Sequence, residues 1–320
     1  MTYSAGNTIV DDDYNIFATG NAAGTGDQSV ANINSIIGVG GDAFGYGQGT
    51  ELPAVTAGSV VQATSWANLL TRNATLASHQ GTSITSITNP AGGDTIAAYA
   101  ALSANITATY NGKLNAAASG SDSTVTTTTT TAWNTSSVLT KTFTFASRNQ
   151  LRYFFNAGGL IRLSWSRTGG TASDQNTSWT NTLTAAGTIV ISGVGTSKTI
   201  AGVAYTGITK IGGSGTNRTL LTATGVMTPI ASSEQLLFDQ IPPSGYGDNE
   251  IQVYGSIPAD GTVLTIKTDL SDDYTPPDPG SPDNVDGTLT QVSTISPPST
   301  THLTASWGTV TQNSPSWVQS

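Results

Sequence analysis

The stretch Arg148-Asn-Gln-Leu-Arg-Tyr-Phe-Phe-Asn-Ala-Gly-Gly-Leu-Ile-Arg-Leu-Ser-Trp-Ser-Arg167 changes period in its middle, and that change decides the fold class. Residues 148–156 read as a short helix. Ala157-Gly158-Gly159 stops it, because glycine is costly inside a helix and takes the backbone geometry of a helix end readily. From Leu160 to Arg167 the period becomes two: Ile161, Leu163 and Trp165 face one way, Arg162, Ser164 and Ser166 the other. A helix that hands over to a strand so abruptly predicts an α+β chain.

Toward the C-terminus, Ser173 or Asp174 starts a capped helix over 173–186, with Trp179 and Leu183 inside. From Thr188 the reading is β, with strands expected at 188–192, 199–205, 218–227, 234–239, 249–257 and 262–269. The last two form a hairpin around Pro258-Ala259-Asp260-Gly261. Proline clusters between 276 and 282, and the tail to Ser320 is rich in Ser, Thr and Pro. Trp307 and Trp317 in that tail predict that it docks on something instead of floating free.

Toward the N-terminus, residues 115–131 are low in complexity: a linker, then a Thr run leading into a strand that ends near Phe145. Ala57 to His79 reads as a helix. Val60, Ala63, Ala67, Leu70, Ala74 and Ala77 recur at spacings of three and four, Trp66, Leu69 and Leu76 widen the stripe, and Gly81 offers a C-cap. A second helix is expected from Thr95 to Tyr110, capped by Asp94, with Ile96, Tyr99, Ser103, Ile106 and Tyr110 on one face. The two helices predict a helical hairpin. Residues 1–57 are rich in Gly and Asn, with Tyr14, Ile16, Phe17, Ile33, Ile36 and Ile37 as apolar points and a Gly38–Gly49 loop anchored by Phe44 and Tyr46. The expected organisation is a helical, Gly-rich N-terminal module (1–118), a mixed α/β middle (119–192), an antiparallel β module (193–275) and a docking tail (276–320).

Reactive side chains are scarce. The chain of 320 residues has no Cys, His only at 79 and 302, and Glu only at 51, 234 and 250; charged residues make up 10%. No disulfide and no thiolate metal site can form. A net charge of −9 and a pI near 4.4 disfavour nucleic acid, because no cationic surplus exists to displace counterions from phosphates. No run approaches the roughly eighteen apolar residues of a membrane span, and the opening residues show no secretory signal pattern. Hydrophobic content of 37% predicts a core built in pieces, not one large core.

Asp11-Asp12-Asp13-Tyr14-Asn15 alternates oxygen ligands as a calcium loop does, but it lacks the turn Gly and the bidentate Glu, so a helix N-terminus is the stronger reading. Asp269, Asp272, Asp273, Asp278, Asp283 and Asp286 form a second acidic stretch, read as a wet linker. Asp239, Asp248 and Glu250 flank a Pro-Pro-Ser-Gly-Tyr-Gly loop; a glycosidase would need two of them to face each other at a set distance. His79 ends a helix and is expected to cap its last carbonyls. Four of the six arginines, Arg148, Arg152, Arg162 and Arg167, fall within twenty residues, and they suit either intramolecular pairing or contact with an acidic subunit surface. No catalytic, cofactor or metal residues are assigned. Val60, Trp66, Leu70, Arg148, Arg152, Arg162, Trp307 and Trp317 are the candidates for an intersubunit interface.

Three stretches carry a resemblance: Asn7-Thr-Ile-Val through Gly45-Tyr-Gly-Gln; Gln62-Ala-Thr-Ser-Trp-Ala-Asn-Leu-Leu to Ser78-His-Gln-Gly; and Arg148 to Arg162 with Ser166-Arg-Thr-Gly-Gly and Gln175-Asn-Thr-Ser-Trp-Thr. Across roughly residues 1–190 the chain resembles virion structural proteins of tailed bacteriophages, particularly marine and cyanobacterial contractile-tailed phages. The resemblance implies a non-enzymatic tail, baseplate, neck or fibre component, assembled in the host cytoplasm and located in the virion. It brings no active-site residue. The expected partners are copies of the chain in a homotrimer, other tail, baseplate or neck proteins, and a host surface glycan, with no nucleic acid, membrane insertion or cofactor. A head decoration or neck protein and a carbohydrate-binding spike with Tyr246 and Tyr254 as sugar platforms are the alternatives; a surface adhesin is a further one.

Overall fold

The computed structural model describes residues 11–38, 45–89, 91, 99–227, 230–273 and 284–320. Asn7, Phe44, Asp94, Ile96, Asp278 and Asp283 lie outside the described residues. The architecture is α+β and mostly β. Four helices come first among the described residues: α1 (Asp11–Thr19), α2 (Ile33–Ile37), α3 (Ala63–Gln80) and α4 (Tyr99–Asn111). Then follow β1 (Ser123–Thr129), β2 (Ser136–Thr144), α5 (Arg148–Asn156), β3 (Leu160–Thr168), α6 (Asp174–Ala186), β4 (Thr188–Ile191), β5 (Lys198–Ile200), β6 (Val203–Tyr205) and β7 (Ile208–Ile211). The chain continues through β8 (Asn217–Leu220), β9 (Gln235–Gln240), β10 (Glu250–Ser256), β11 (Val263–Ser271), β12 (Thr288–Ser296), β13 (Thr311–Gln312) and β14 (Val318–Gln319).

Local signals set several of these elements. Ser147 accepts from the Gln150 amide and Ser173 from the Asn176 amide, so serine hydroxyls satisfy amides that α5 and α6 cannot pair internally. Gly81 ends α3 in the left-handed conformation at φ 70°. The β10–β11 hairpin turns at Pro258–Gly261, where the Gly261 amide donates to the Pro258 carbonyl at 2.9 Å.

Two antiparallel sheets carry the body. One has the order β1-β12-β3-β4-β7; the other runs β13-β2-β11-β10-β9-β8, with β14 also on β2. Inward side chains alternate along the strands, as in β11, where Leu264, Ile266, Thr268 and Leu270 are buried. Gln291 of β12 joins the two layers: its Oε1 accepts from Trp165 Nε1 at 2.8 Å on its own sheet and from Thr268 Oγ1 at 2.9 Å on the opposite one. A main core runs from Tyr14 through Phe154 and Ile266 to Trp317, with a small second cluster of Ala116, Leu160, Val190, Ile200 and Tyr205, so the expectation that no large core forms is corrected. The apolar residues are few but fall at inward positions, and Thr, Ser and Gln fill the inward places between them.

The chain closes the sandwich on both sides. At one side β7 meets β8: the Ile208 amide donates to the Leu221 carbonyl, and Lys210 Nζ donates to Asn217 Oδ1 and Gln240 Oε1 at 2.9 and 2.8 Å. At the other side β13 and β14 pair with β2 and send side chains to β1 of the facing sheet. Gln312 Nε2 donates to the Ser123 carbonyl, Trp317 Nε1 to the Thr127 carbonyl and Gln319 Nε2 to Thr129 Oγ1. The tail therefore docks on its own chain. It also supplies β12 to the interior of the five-stranded sheet, so strands from 119–192, 193–275 and 276–320 share both sheets.

Several boundaries differ from expectation. Helix α3 starts at Ala63, leaving Val60 outside it and 74% exposed. Its buried face is Trp66, Leu69, Leu70, Asn73, Leu76 and Ala77, not the alanine row, because the large side chains gain most from leaving water. On α4 the buried row is Leu102, Asn105, Ile106 and Thr109. The Thr run is a separate strand, β1, parted from β2 by the buried Trp133. The strand expected at 199–205 turns at Ala201-Gly202 into the β5–β6 hairpin, and the one expected at 218–227 ends at Leu220.

Ala201 stands in that two-residue turn at φ 49°, beside Gly202 at φ 79°. Both positions need positive φ, which a Cβ opposes. Ala201→Gly is expected to raise stability by about 1 kcal/mol, read as a higher urea midpoint with unchanged slope.

Candidate functional site

The four clustered arginines find partners within the chain. Arg148 Nη1 donates to the Ala259 carbonyl at 3.1 Å, on the β10–β11 turn. Arg152 is buried with its guanidinium 5.7 Å from the Tyr153 ring centre. Arg162 hydrogen-bonds Ser296 Oγ and lies 3.5 Å from Asp122. Arg167 reaches Asp286 at 3.4 Å and the Asn176 carbonyl at 3.3 Å. The apolar interface candidates are likewise taken up by the chain's own core. Trp66 packs on Tyr14 and Phe17 at centroid distances of 6.1 and 6.2 Å, and Leu70, Trp307 and Trp317 are buried. Val60 and Arg148 are the two of the eight that are exposed.

The carboxylates form separate structural networks. Asp11, Asp12 and Asp13 occupy the first turn of α1, the place a helix dipole favours for anions. Asp286 accepts from the Thr171 hydroxyl at 2.7 Å and the Thr171 amide at 2.9 Å, and also meets Asn176 and Arg167. The Thr171 hydrogen bonds, first among these, hold its carboxyl down at about 2. Asp272 is buried, accepting from Gln175 Nε2 at 2.6 Å and from Trp179 Nε1 at 3.4 Å. These two aspartates fasten the start of α6 to both ends of the acidic stretch, which is therefore not simply wet linker. Asp239 and Glu250 converge on Arg218, with 2.9 Å from Arg218 Nε to Asp239, while Asp248 is exposed. A guanidinium stands between the two carboxylates where a glycosidase would leave room for a sugar.

On the outer face of the seven-stranded sheet, Lys267 Nζ donates to Glu234 at 2.8 Å and sits 4.4 Å from the Tyr254 ring centre. The Tyr254 hydroxyl donates to Gln252 Oε1 at 2.6 Å, and Asp269 lies 3.9 Å from Lys267. Tyr246, on the β9–β10 loop, holds a left-handed backbone at φ 43° next to Gly245 at φ 63°. Non-glycine residues in that region are uncommon and often belong to functional loops.

His79 does sit in the last turn of α3, but it does not cap it. Its Nε2 hydrogen-bonds the Ala157 carbonyl beyond α5 at 2.9 Å, its ring meets Tyr46 edge-on at 5.3 Å, and it is 2% exposed. Burial lowers its proton affinity. Tyr46 donates to the Lys113 carbonyl at 2.7 Å and accepts from Gln80 Nε2.

Two buried lysines escaped the sequence reading. Lys141 alternates with Leu139 and Phe143, and Lys198 with Ile200, so strand parity was the available signal. Lys141 Nζ donates to the Asn313 carbonyl at 3.3 Å. Lys198 is 2% exposed, and its Nζ has no hydrogen-bond partner among the described residues. Burial pushes it down to about 7. The fold thus favours the neutral amine. Stability falls as pH drops from the unfolded value near 10.5 toward 7, and the penalty is complete below that. Lys198→Met is expected to raise stability at about pH 7 by a few kcal/mol, at about 1.4 kcal/mol per unit of displacement, and to flatten the alkaline limb in urea titrations across pH.

Among the described residues, no group of three or more His, Cys, Asp or Glu side chains is placed to hold a metal ion, and no helix is long and apolar enough to cross a membrane. No family model, curated protein or solved structure matches the chain.

Proposed function

We propose that the chain is a non-enzymatic structural component of a tailed-phage virion, a tail fibre or fibre-attachment or baseplate protein that acts by oligomeric assembly. The observation that carries the reading is the commitment of polar side chains to intrachain joints: Gln291 between the sheets, Gln312, Trp317 and Gln319 along one side, and Lys210 along the other. Such a body transmits shape and load. The resemblance of roughly residues 1–190 to virion structural proteins of tailed bacteriophages supports this choice of particle. Because the core residues are used internally, assembly into a trimer would use outward faces, where Val60 and Val318 are 74% and 69% exposed.

Antibody labelling of the parent particle in the electron microscope tests this. Label on tail-associated projections is the expected result. Label on the head or neck would replace it with a decoration or connector role, and absence of label from the particle would overturn the virion reading.

A second reading, carbohydrate recognition, is favoured by the strained Tyr246 on an outward loop. Under it, Tyr246→Ala abolishes retention of the folded protein on a host polysaccharide. No retention of the parent protein across a polysaccharide panel ends that reading.

A further inference from the structure

The two sheets turn different faces to solvent. The outward face of the seven-stranded sheet is charged, with Glu234, Lys267 and Asp269 beside Tyr254. The outward face of the five-stranded sheet carries hydroxyls in rows. On β1, Thr124, Thr126 and Thr128 are exposed, and they stand directly opposite Thr294, Val292 and Thr290 of β12. On the other side of β12 the rows run on into β3, where Val292 pairs with Ser164 and Thr290 with Ser166. The Thr124 and Thr294 hydroxyls lie 3.0 Å apart, within hydrogen-bonding distance across the strands. No carboxylate stands in these rows, although the chain carries a net charge of −9, and no aromatic ring does. The one cation, Arg162, ends the first row opposite Thr294, and its guanidinium is taken up by Ser296 and Asp122.

We propose that this face binds ice. An ice surface is an uncharged, periodic array of water molecules, each able to donate and to accept. A matching protein face needs hydroxyls at a fixed repeat and no charge that would hold liquid water against it. The sheet supplies the repeat: alternate residues along a strand lie about 6.4–6.8 Å apart, and neighbouring strands about 4.8 Å. Each Thr or Ser hydroxyl donates once and accepts twice. Threonine adds stiffness, because its branched Cβ restricts χ1 and little rotamer freedom is left to lose on binding. Val292 keeps the shape of threonine without the hydroxyl. A neutral polysaccharide suits the face less well, because no Tyr, Trp or Phe stands in the rows to stack on a sugar ring. A second copy of the chain suits it less well, because the rows hold no large aromatic anchor of the kind that dominates protein interfaces. Adjacent strands rotate by about 20–25°, so the matched patch covers two or three strands. Shaping of ice crystals and a small freezing-point depression are therefore expected, not deep undercooling. Ice binding is independent of the virion reading.

Ice-affinity partition of the full chain tests it. Ice is grown slowly through a dilute solution, and the protein in the ice is compared with that left in the liquid. The parent chain is expected to enter the ice several-fold more than a non-binding reference protein, and to facet growing ice crystals under the microscope. Thr126→Tyr and Thr290→Tyr each put a ring in the middle of the rows and should bring entry down toward the reference level. Thr126 is exposed and Thr290 half-buried on the same open face, and an unchanged urea midpoint checks that each variant is folded. Thr140→Tyr, at an exposed position of β2 on the other sheet, should leave entry unchanged. Exclusion of the parent chain from ice overturns ice binding. So does undiminished entry of both face variants, or an equal loss in Thr140→Tyr. Retention of the parent on a neutral polysaccharide, lost in the two face variants and without entry into ice, replaces ice with a glycan.

Discussion

The side-chain amide of Gln291 lies between two sheets, and its one oxygen accepts a hydrogen bond from Trp165 on one and from Thr268 on the other. A buried acceptor without donors would cost about 1–3 kcal/mol, so this arrangement constrains both layers together. It requires β12 to present position 291 inward, opposite Trp165 in the β3 pairing and opposite Thr127 in the β1 pairing. A slip of one residue would turn Leu289, Gln291, Ser293 and Ile295 outward at once. The registers of β1, β12 and β3, and the approach of β11 from the facing sheet, thus depend on one another.

Sheet edges are the next constraint. An open edge is a template for pairing with another chain. Here the two layers are joined at one side by β7 and β8 and at the other by β13 and β14, whose side chains reach the carbonyls of β1. The second closure gives the C-terminal segment a structural role. It covers the backbone of a Thr-rich strand that carries no charge to protect it. For a protein proposed to assemble with copies of itself, this matters because it directs contact to the outward faces.

The helical layer is held differently. Its interior is aromatic, with Tyr14, Phe17, Trp66 and Tyr99 in contact, and it shares the main apolar core with the β body, to which His79, Asn156 and Gln48 add hydrogen bonds across the seam.

Short-range features were legible in the sequence by itself. The switch from α5 to β3, the Ser173 cap, the glycine end of α3 and the β10–β11 turn all depend on residues within a few positions of one another. So do the mixed α+β class and the burial of Trp179 and Leu183. Strand β12 was not legible, because Gln291 and Ser293 occupy inward places and erase the apolar alternation that marks a strand. The partners of the arginines, the burial of Lys198 and the contact of His79 with the Ala157 carbonyl were not legible either. Only the tertiary structure decided them: each depends on pairing between segments tens to hundreds of residues apart, and neither period nor propensity carries information over that distance.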